Sequence, residues 1–293
     1  MSASSRASLL AVATMFGAAA LWGGTGGVVA GLQVGGAAAA CVVELTTGVV
    51  LLGLALATGE RPGAAIVGRR RRIALLGAVE AANVLCYYVA LQMAPVGPVM
   101  ALHLAAPVLL TVVALARGRR SVSIRNVSAI LMISAALTLV ALSGQEGARH
   151  PAVLQGLALS LVSAACLAVF LTLVSSTASG IAPAPAAGFQ MLVSGLVLCP
   201  ALMDLRQHGS SLAPLLAVSV ALFAPACWLY WFAMRRLTPI LAGTVLLTEP
   251  FFGVPAAYLV HGLRPSASHA VAIILILGAT YIDMTTGSAD NAL

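Results

Sequence analysis

About ten apolar stretches follow one another along this chain, at 9–31, 38–57, 73–93, 96–116, 126–143, 153–174, 187–203, 213–234, 238–260 and 267–285. Each is close to the roughly 20 residues a helix needs to cross a hydrocarbon layer of ~30 Å. Inside a bilayer there is no water to satisfy backbone polar groups, so such stretches are expected as helices that bond within themselves. Only 8% of residues are charged and 61% are hydrophobic, where a soluble domain carries about 25% charge. A water-soluble fold is excluded. The expected fold class is an all-α membrane protein with ten transmembrane helices.

All fifteen basic residues are arginines, and the net charge is +7. In a soluble protein that balance would suggest a nucleic-acid partner. Here the arginines sit in short connections, where they set orientation because cytoplasmic loops retain positive charge. With the N-terminus in the cytoplasm, Arg6, Arg61, Arg69, Arg70, Arg71, Arg72, Arg117, Arg119, Arg120, Arg125, Arg235 and Arg236 fall inside, and only Arg149, Arg206 and Arg264 fall outside. The count predicts an inner (plasma) membrane protein with both termini cytoplasmic and no nucleic-acid partner.

Arg6 followed by an apolar run from Leu9 resembles a signal peptide. The run continues through Trp22 and Gly23-Gly24-Thr25-Gly26-Gly27 to about Gly31, so it is read as the first span. Cys41, Cys86, Cys166, Cys199 and Cys227 fall within the expected spans and form no C-x-x-C pair. Neither a metal site nor a disulfide framework is indicated, and no cofactor is expected.

The polar segment from Ser143 to Pro151 divides the chain into two five-span halves, residues 1–146 and 147–293. A shift of 143 positions lays Tyr87-Tyr88-Val89-Ala90-Leu91 over Tyr230-Trp231-Phe232-Ala233-Met234, and Pro107 over Pro250. Five is odd, so the second half must enter from the opposite face. The halves are therefore expected as an inverted pair, an arrangement from which secondary transporters build a central site with alternating access.

Several segments carry a family resemblance: Ala20-Leu21-Trp22-Gly23, Tyr87 through Gln92, Pro107, Glu249-Pro250 and Arg264-Pro265-Ser266. With them the chain resembles the ten-helix branch of the drug/metabolite transporter (DMT) superfamily, built from two EamA-type repeats. Gln92-Met93-Ala94-Pro95-Val96-Gly97, Ala101-Leu102-His103 and Gly243-Thr244 make it look most like the threonine/homoserine exporter group. The resemblance implies export of a small metabolite. Four places depart from the family pattern. Gly118-Arg119-Arg120 and Gly262-Leu263-Arg264 stand where Gly-Glu-Arg is usual, Glu44 falls where a basic residue is common, and His103 replaces an acidic residue.

An ionisable group at mid-membrane costs about 2.5–3.5 kcal/mol on insertion scales, so each one in a span calls for a role. Glu249 lies some ten residues into its span beside Pro250, whose missing N–H is expected to free the carbonyl four residues earlier and kink the helix. Pro107 is the corresponding kink in the first half. Glu80, Asn83 and Tyr87 follow helical spacing and predict a polar stripe on one face. Its structural alternative is hydrogen-bonded glue between helices. His103 could take part in proton coupling or be a hydrogen-bonded core residue. Glu44 could complement His103, guard the outer mouth, or snorkel at the boundary. Asp283 falls near the inner end of the last span, where interfacial solvation accounts for it. Trp22 and Tyr230 are candidate cavity walls, while Trp231 and Phe232 fit an interfacial belt.

These residues predict a secondary-active transporter of a small polar metabolite, an amino acid or derivative, and the resemblance implies that it is an exporter. Trp22, Asn83, Tyr87, His103, Tyr230 and Glu249 would bind substrate, and Glu249, Glu80, Glu44 and His103 are the proton-coupling candidates. A multidrug exporter of hydrophobic cations is the alternative, and a non-transporting membrane partner protein a further one. No phosphate-cradling loop, nucleophile elbow or metal-spaced ligand set is present, so no enzyme is expected. The expected partners are the bilayer, a small-molecule substrate and protons; a homodimer is compatible with all of this.

Overall fold

The computed structural model describes residues 3–106, 109, 124–143, 151–207, 212–262 and, further on, 267–268, 270–271, 274–275, 278–279 and 282. Pro107, Asp283, the 144–150 boundary, and Arg117, Arg119, Arg120, Arg149 and Arg264 lie outside the described residues. Every regular element among the described residues is helical. The first half contributes α1 (Ala3–Val29), α2 (Gly36–Ala57), the single turn α3 (Pro62–Ala65), α4 (Arg70–Met93), α5 (Val96–His103) and α6 (Ile124–Ser143). The second contributes α7 (Pro151–Thr177), α8 (Pro183–Leu198) with a 3-10 extension Cys199–Gln207, α9 (Leu212–Val218), α10 (Ala224–Met234), α11 (Pro239–Leu246) and α12 (Pro250–His261).

Seven stretches of the described residues are long and apolar enough to cross a membrane. They coincide with the expected spans at 9–31, 38–57, 73–93, 153–174, 187–203, 213–234 and 238–260. Helix α6 covers the stretch expected at 126–143. The apolar exterior fits lipid: Leu259, Ile124 and Met203 are each more than three-quarters exposed.

Two of the spans are interrupted. Between α9 and α10 the residues Ser219–Phe223 form a π turn, in which the Ala224 N–H reaches the Ser219 carbonyl. That turn ends two residues before Pro225, which has no N–H to give, and π turns of this sort recur at functional sites. Between α11 and α12 the chain tightens instead. The N–H groups of Leu247, Thr248 and Glu249 each bond three residues back, and Pro250 starts α12. This corrects the expectation that Pro250 leaves a carbonyl free, because the Leu246 carbonyl accepts from the Glu249 N–H at 2.9 Å. The proline produces a break, and the backbone closes its own account there.

Helix α2 packs against α8, α4 against α7, and α1 against α12 and α10, while α5 lies on α7. The α2–α8 pair is antiparallel in close register. A Cβ on Gly195 would meet Leu45, one on Gly48 would meet Leu192, and one on Gly188 would meet Leu52, so each step up one helix is matched by a step down the other. Helices α1 and α12 approach still more closely. A Cβ on Gly23 would lie 2.2 Å from the Glu249 carbonyl oxygen, and one on Gly27 2.3 Å from that of Gly253. Without a hydrophobic drive between helices in lipid, small residues of this kind set how near the backbones come. They place the α11–α12 break directly against α1.

Candidate functional site

Helix α4 supplies one wall of a cavity. Glu80, Asn83, Val84, Tyr87 and Tyr88 recur at helical spacing and all line it, as one face of a 3.6-residue helix must. Glu80 stands ten residues beyond Arg70, about 15 Å along the axis at 1.5 Å per residue. Trp22 and Gly26 enter from α1, His103 from α5, and Leu167 and Phe170 from α7. Phe223 comes from the π turn, Leu246 from the end of α11, and Glu249 from the break. The walls line about 520 Å³ of atom-free space, part of it open to solvent.

The polar groups are held in short chains. The Tyr87 hydroxyl donates to Glu249 Oε1 at 3.3 Å, and Asn83 Nδ2 donates to Glu80 Oε2 at 3.3 Å. Ser163 Oγ contacts the Asn83 carbonyl at 3.0 Å, Asn83 Oδ1 at 2.8 Å and His103 Nδ1 at 2.8 Å. A hydroxyl has one proton. Given to Asn83, it leaves His103 Nδ1–H as the donor to Ser163 and Nε2 as the acceptor of the ring. The imidazole also stacks on Tyr87, with ring centroids 4.3 Å apart. On the other side Tyr230 lies against Trp22 at 5.0 Å and Phe170 at 5.7 Å.

Several buried groups around the cavity have no partner. Trp22 Nε1 and the hydroxyls of Tyr88 and Tyr230 are enclosed without a hydrogen bond; the Cys227 sulfur is near Trp22 Nε1 but lacks hydrogen-bond geometry. Buried polar groups are nearly always satisfied, so donors left open beside a cavity are suited to groups that enter it.

Of the residues singled out from sequence, Trp22, Glu80, Asn83, Tyr87, His103 and Glu249 line one cavity. Tyr230 does not; it backs the wall by stacking. Glu44 is a clear correction. It is 0% exposed, so it neither snorkels nor guards a mouth. It faces Ser194 across the α2–α8 seam, whereas His103 is engaged by Ser163. Trp231 is corrected as well: it is buried, and its indole N–H donates to Gln190 Oε1 at 2.7 Å, so it is no belt anchor. Sequence reasoning missed Tyr88, Ser163, Phe170 and Phe223. Ser163, Leu167 and Phe170 do follow helical spacing along α7, a signal masked by the many small and apolar residues around them.

Residues 154–284 match the model of a family described as the EamA-like transporter family. The match covers most of the second half and suggests a membrane transporter. No curated protein matches the chain. A protein of known crystal structure shares the fold, with a TM-score of 0.69 over 96% of this chain and 98% of that one, at 17% identity.

Proposed function

We propose that the protein is a secondary-active transporter that exports a small polar metabolite, an amino acid or a derivative, by alternating access coupled to protons. The single observation that carries this is the cavity itself, where two carboxylates, an imidazole acceptor and unpartnered donors meet within a bundle of membrane-length helices. Glu249 and Glu80 would receive an ammonium group or exchange a proton for it. The Trp22 indole and Tyr88 hydroxyl would receive a carboxylate. Alternating access draws support from the way the helices pair: α1 against α12 and α10 is matched by α7 against α5 and α4. That pairing fits two inverted five-helix repeats. Cytoplasmic termini are supported by the arginine distribution, and outward transport by the resemblance to the exporter group.

A second reading has an observation of its own. Trp22, Tyr87, Tyr88, Phe170 and Phe223 line the cavity with two acids, a wall that also suits a hydrophobic cation through ring faces. Counterflow in proteoliposomes containing the purified protein separates the two. Amino acids are expected to drive flux that Glu249→Gln abolishes without loss of membrane insertion. Undiminished flux in that variant removes the mechanism, and competition by lipophilic cations alone selects the second reading.

A further inference from the structure

The α2–α8 seam holds a second group of polar side chains, outside the cavity. Glu44 and Thr47 are one turn apart on α2, Gln190 and Ser194 one turn apart on α8, and all four are 0% exposed. The antiparallel register, with Leu45 opposite Gly195 and Gly48 opposite Leu192, brings the two pairs to the same level. Neither oxygen of Glu44 has a hydrogen-bond partner, and the same holds for Thr47 Oγ1, Ser194 Oγ and Gln190 Nε2. Ser194 is close enough to interact with Glu44 but is not aligned for a hydrogen bond.

An ionised carboxylate enclosed without a cation or donors is among the most costly things a protein can bury. The titratable groups that sense Glu44 offer no relief. They are Cys41 on its own helix, Glu80 and Tyr88 on α4, and Cys227 on α10, with Cys199 at the end of α8 beside Cys41. Helix α9 and the π turn, which also pack against α2, carry no titratable side chain. No base is paired with Glu44 among the described residues.

We propose that Glu44 is an occluded proton-binding site, separate from the cavity: it carries its proton while α2 and α8 are closed and releases it only when the seam opens to water. The unpartnered Thr47, Ser194 and Gln190 groups are then the polar lining that makes the opened, charged state attainable. Tyr88 links the two sites. Its ring lines the cavity, and its unpartnered hydroxyl senses Glu44, Glu80 and Glu249. The charge of Glu80 also bears on Glu44, and like charges in a low dielectric repel. A proton leaving Glu44 therefore alters how readily the cavity holds charge. Only this coupling role rests on the transport reading; proton binding at Glu44 stands apart from it.

A reporter is built in, because Trp231 donates to Gln190 and is one of only three tryptophans. In a Trp22→Phe/Trp228→Phe background, the emission of Trp231 from detergent-purified protein is titrated with acid and alkali across the range in which far-UV circular dichroism is unchanged. The expected result is a single-proton transition that Glu44→Gln abolishes and that replacing sodium by choline leaves in place. Absence of a transition, its survival in Glu44→Gln, or a response to sodium at fixed pH each overturns the proposal. Should Glu44→Gln fail to fold, Ser194→Ala decides: it removes a donor available to the charged carboxylate, so the midpoint must move to higher pH, and an unmoved midpoint overturns the site. No transport substrate is needed, so failure of the transport reading leaves the outcome intact.

Discussion

Tyr87 and Glu249, 162 residues apart in sequence, meet at 3.3 Å through the phenolic hydroxyl and one carboxylate oxygen. The bond ties the middle of α4 to the break between α11 and α12, and it crosses from one half of the chain to the other. Any motion that separates the halves must break it, and a substrate ammonium group would compete for the same oxygen.

Tyr87→Phe keeps the ring that stacks on His103 and removes only the donor. A hydrogen bond to a charged group contributes about 1.5–3 kcal/mol, and the hydroxyl loss leaves Glu249 more open to substrate. Transport in proteoliposomes is expected to continue with KM altered by roughly tenfold or more, in contrast to the complete loss in Glu249→Gln. Equal loss in both variants would mean that the tyrosine itself is indispensable to the cycle.

The glycines of α1 make a sharper contrast. A Cβ on Gly23 would fall 2.2 Å from a backbone oxygen of Glu249, whereas one on Gly24 meets only a Leu222 methyl at 3.5 Å. Overpacking of a tight interface costs about 1–3 kcal/mol. Gly23→Ala is therefore expected to lower the thermal unfolding midpoint in detergent and to displace Glu249 enough to impair transport. Gly24→Ala should behave like the parent in both measurements.

Ser163 holds two elements at once, as the partner of His103 on α5 and of Asn83 on α4. Ser163→Ala leaves buried groups on both without a partner, at about 1–3 kcal/mol for an unsatisfied buried group. Thermal unfolding should show that loss, and Ser163→Thr, which retains the hydroxyl, should restore part of it.

Seven of the ten expected spans were legible in the sequence, because membrane helices must be long and apolar, and length and hydropathy are local properties. The Glu80–Asn83–Tyr87 stripe was legible for the same reason, since helical spacing decides which residues share a face. What crossed between helices was not. Nothing local to Glu44 tells that it meets Ser194 rather than His103, because that depends on the register of α2 against α8, set by Gly48, Gly188 and Gly195 fitting leucines of the facing helix. Trp231 followed the interfacial habit of its residue type until Gln190, 41 positions away, supplied a buried acceptor.

That last pair offers a test of how such buried polar contacts bind helices of the second half together. Gln190 accepts from the Trp231 indole at 2.7 Å, and both side chains are almost wholly enclosed. Gln190→Leu should cost about 1–3 kcal/mol by stranding the indole N–H, while Trp231→Phe strands the amide oxygen and adds a cavity. The double variant removes donor and acceptor together, so its loss should fall short of the sum of the two single losses by about 0.5–3 kcal/mol, the range found for residues in contact. Thermal or denaturant unfolding in detergent measures all four corners of the cycle. Additive losses would mean that the hydrogen bond contributes nothing and that packing of the indole alone holds α10 against α8.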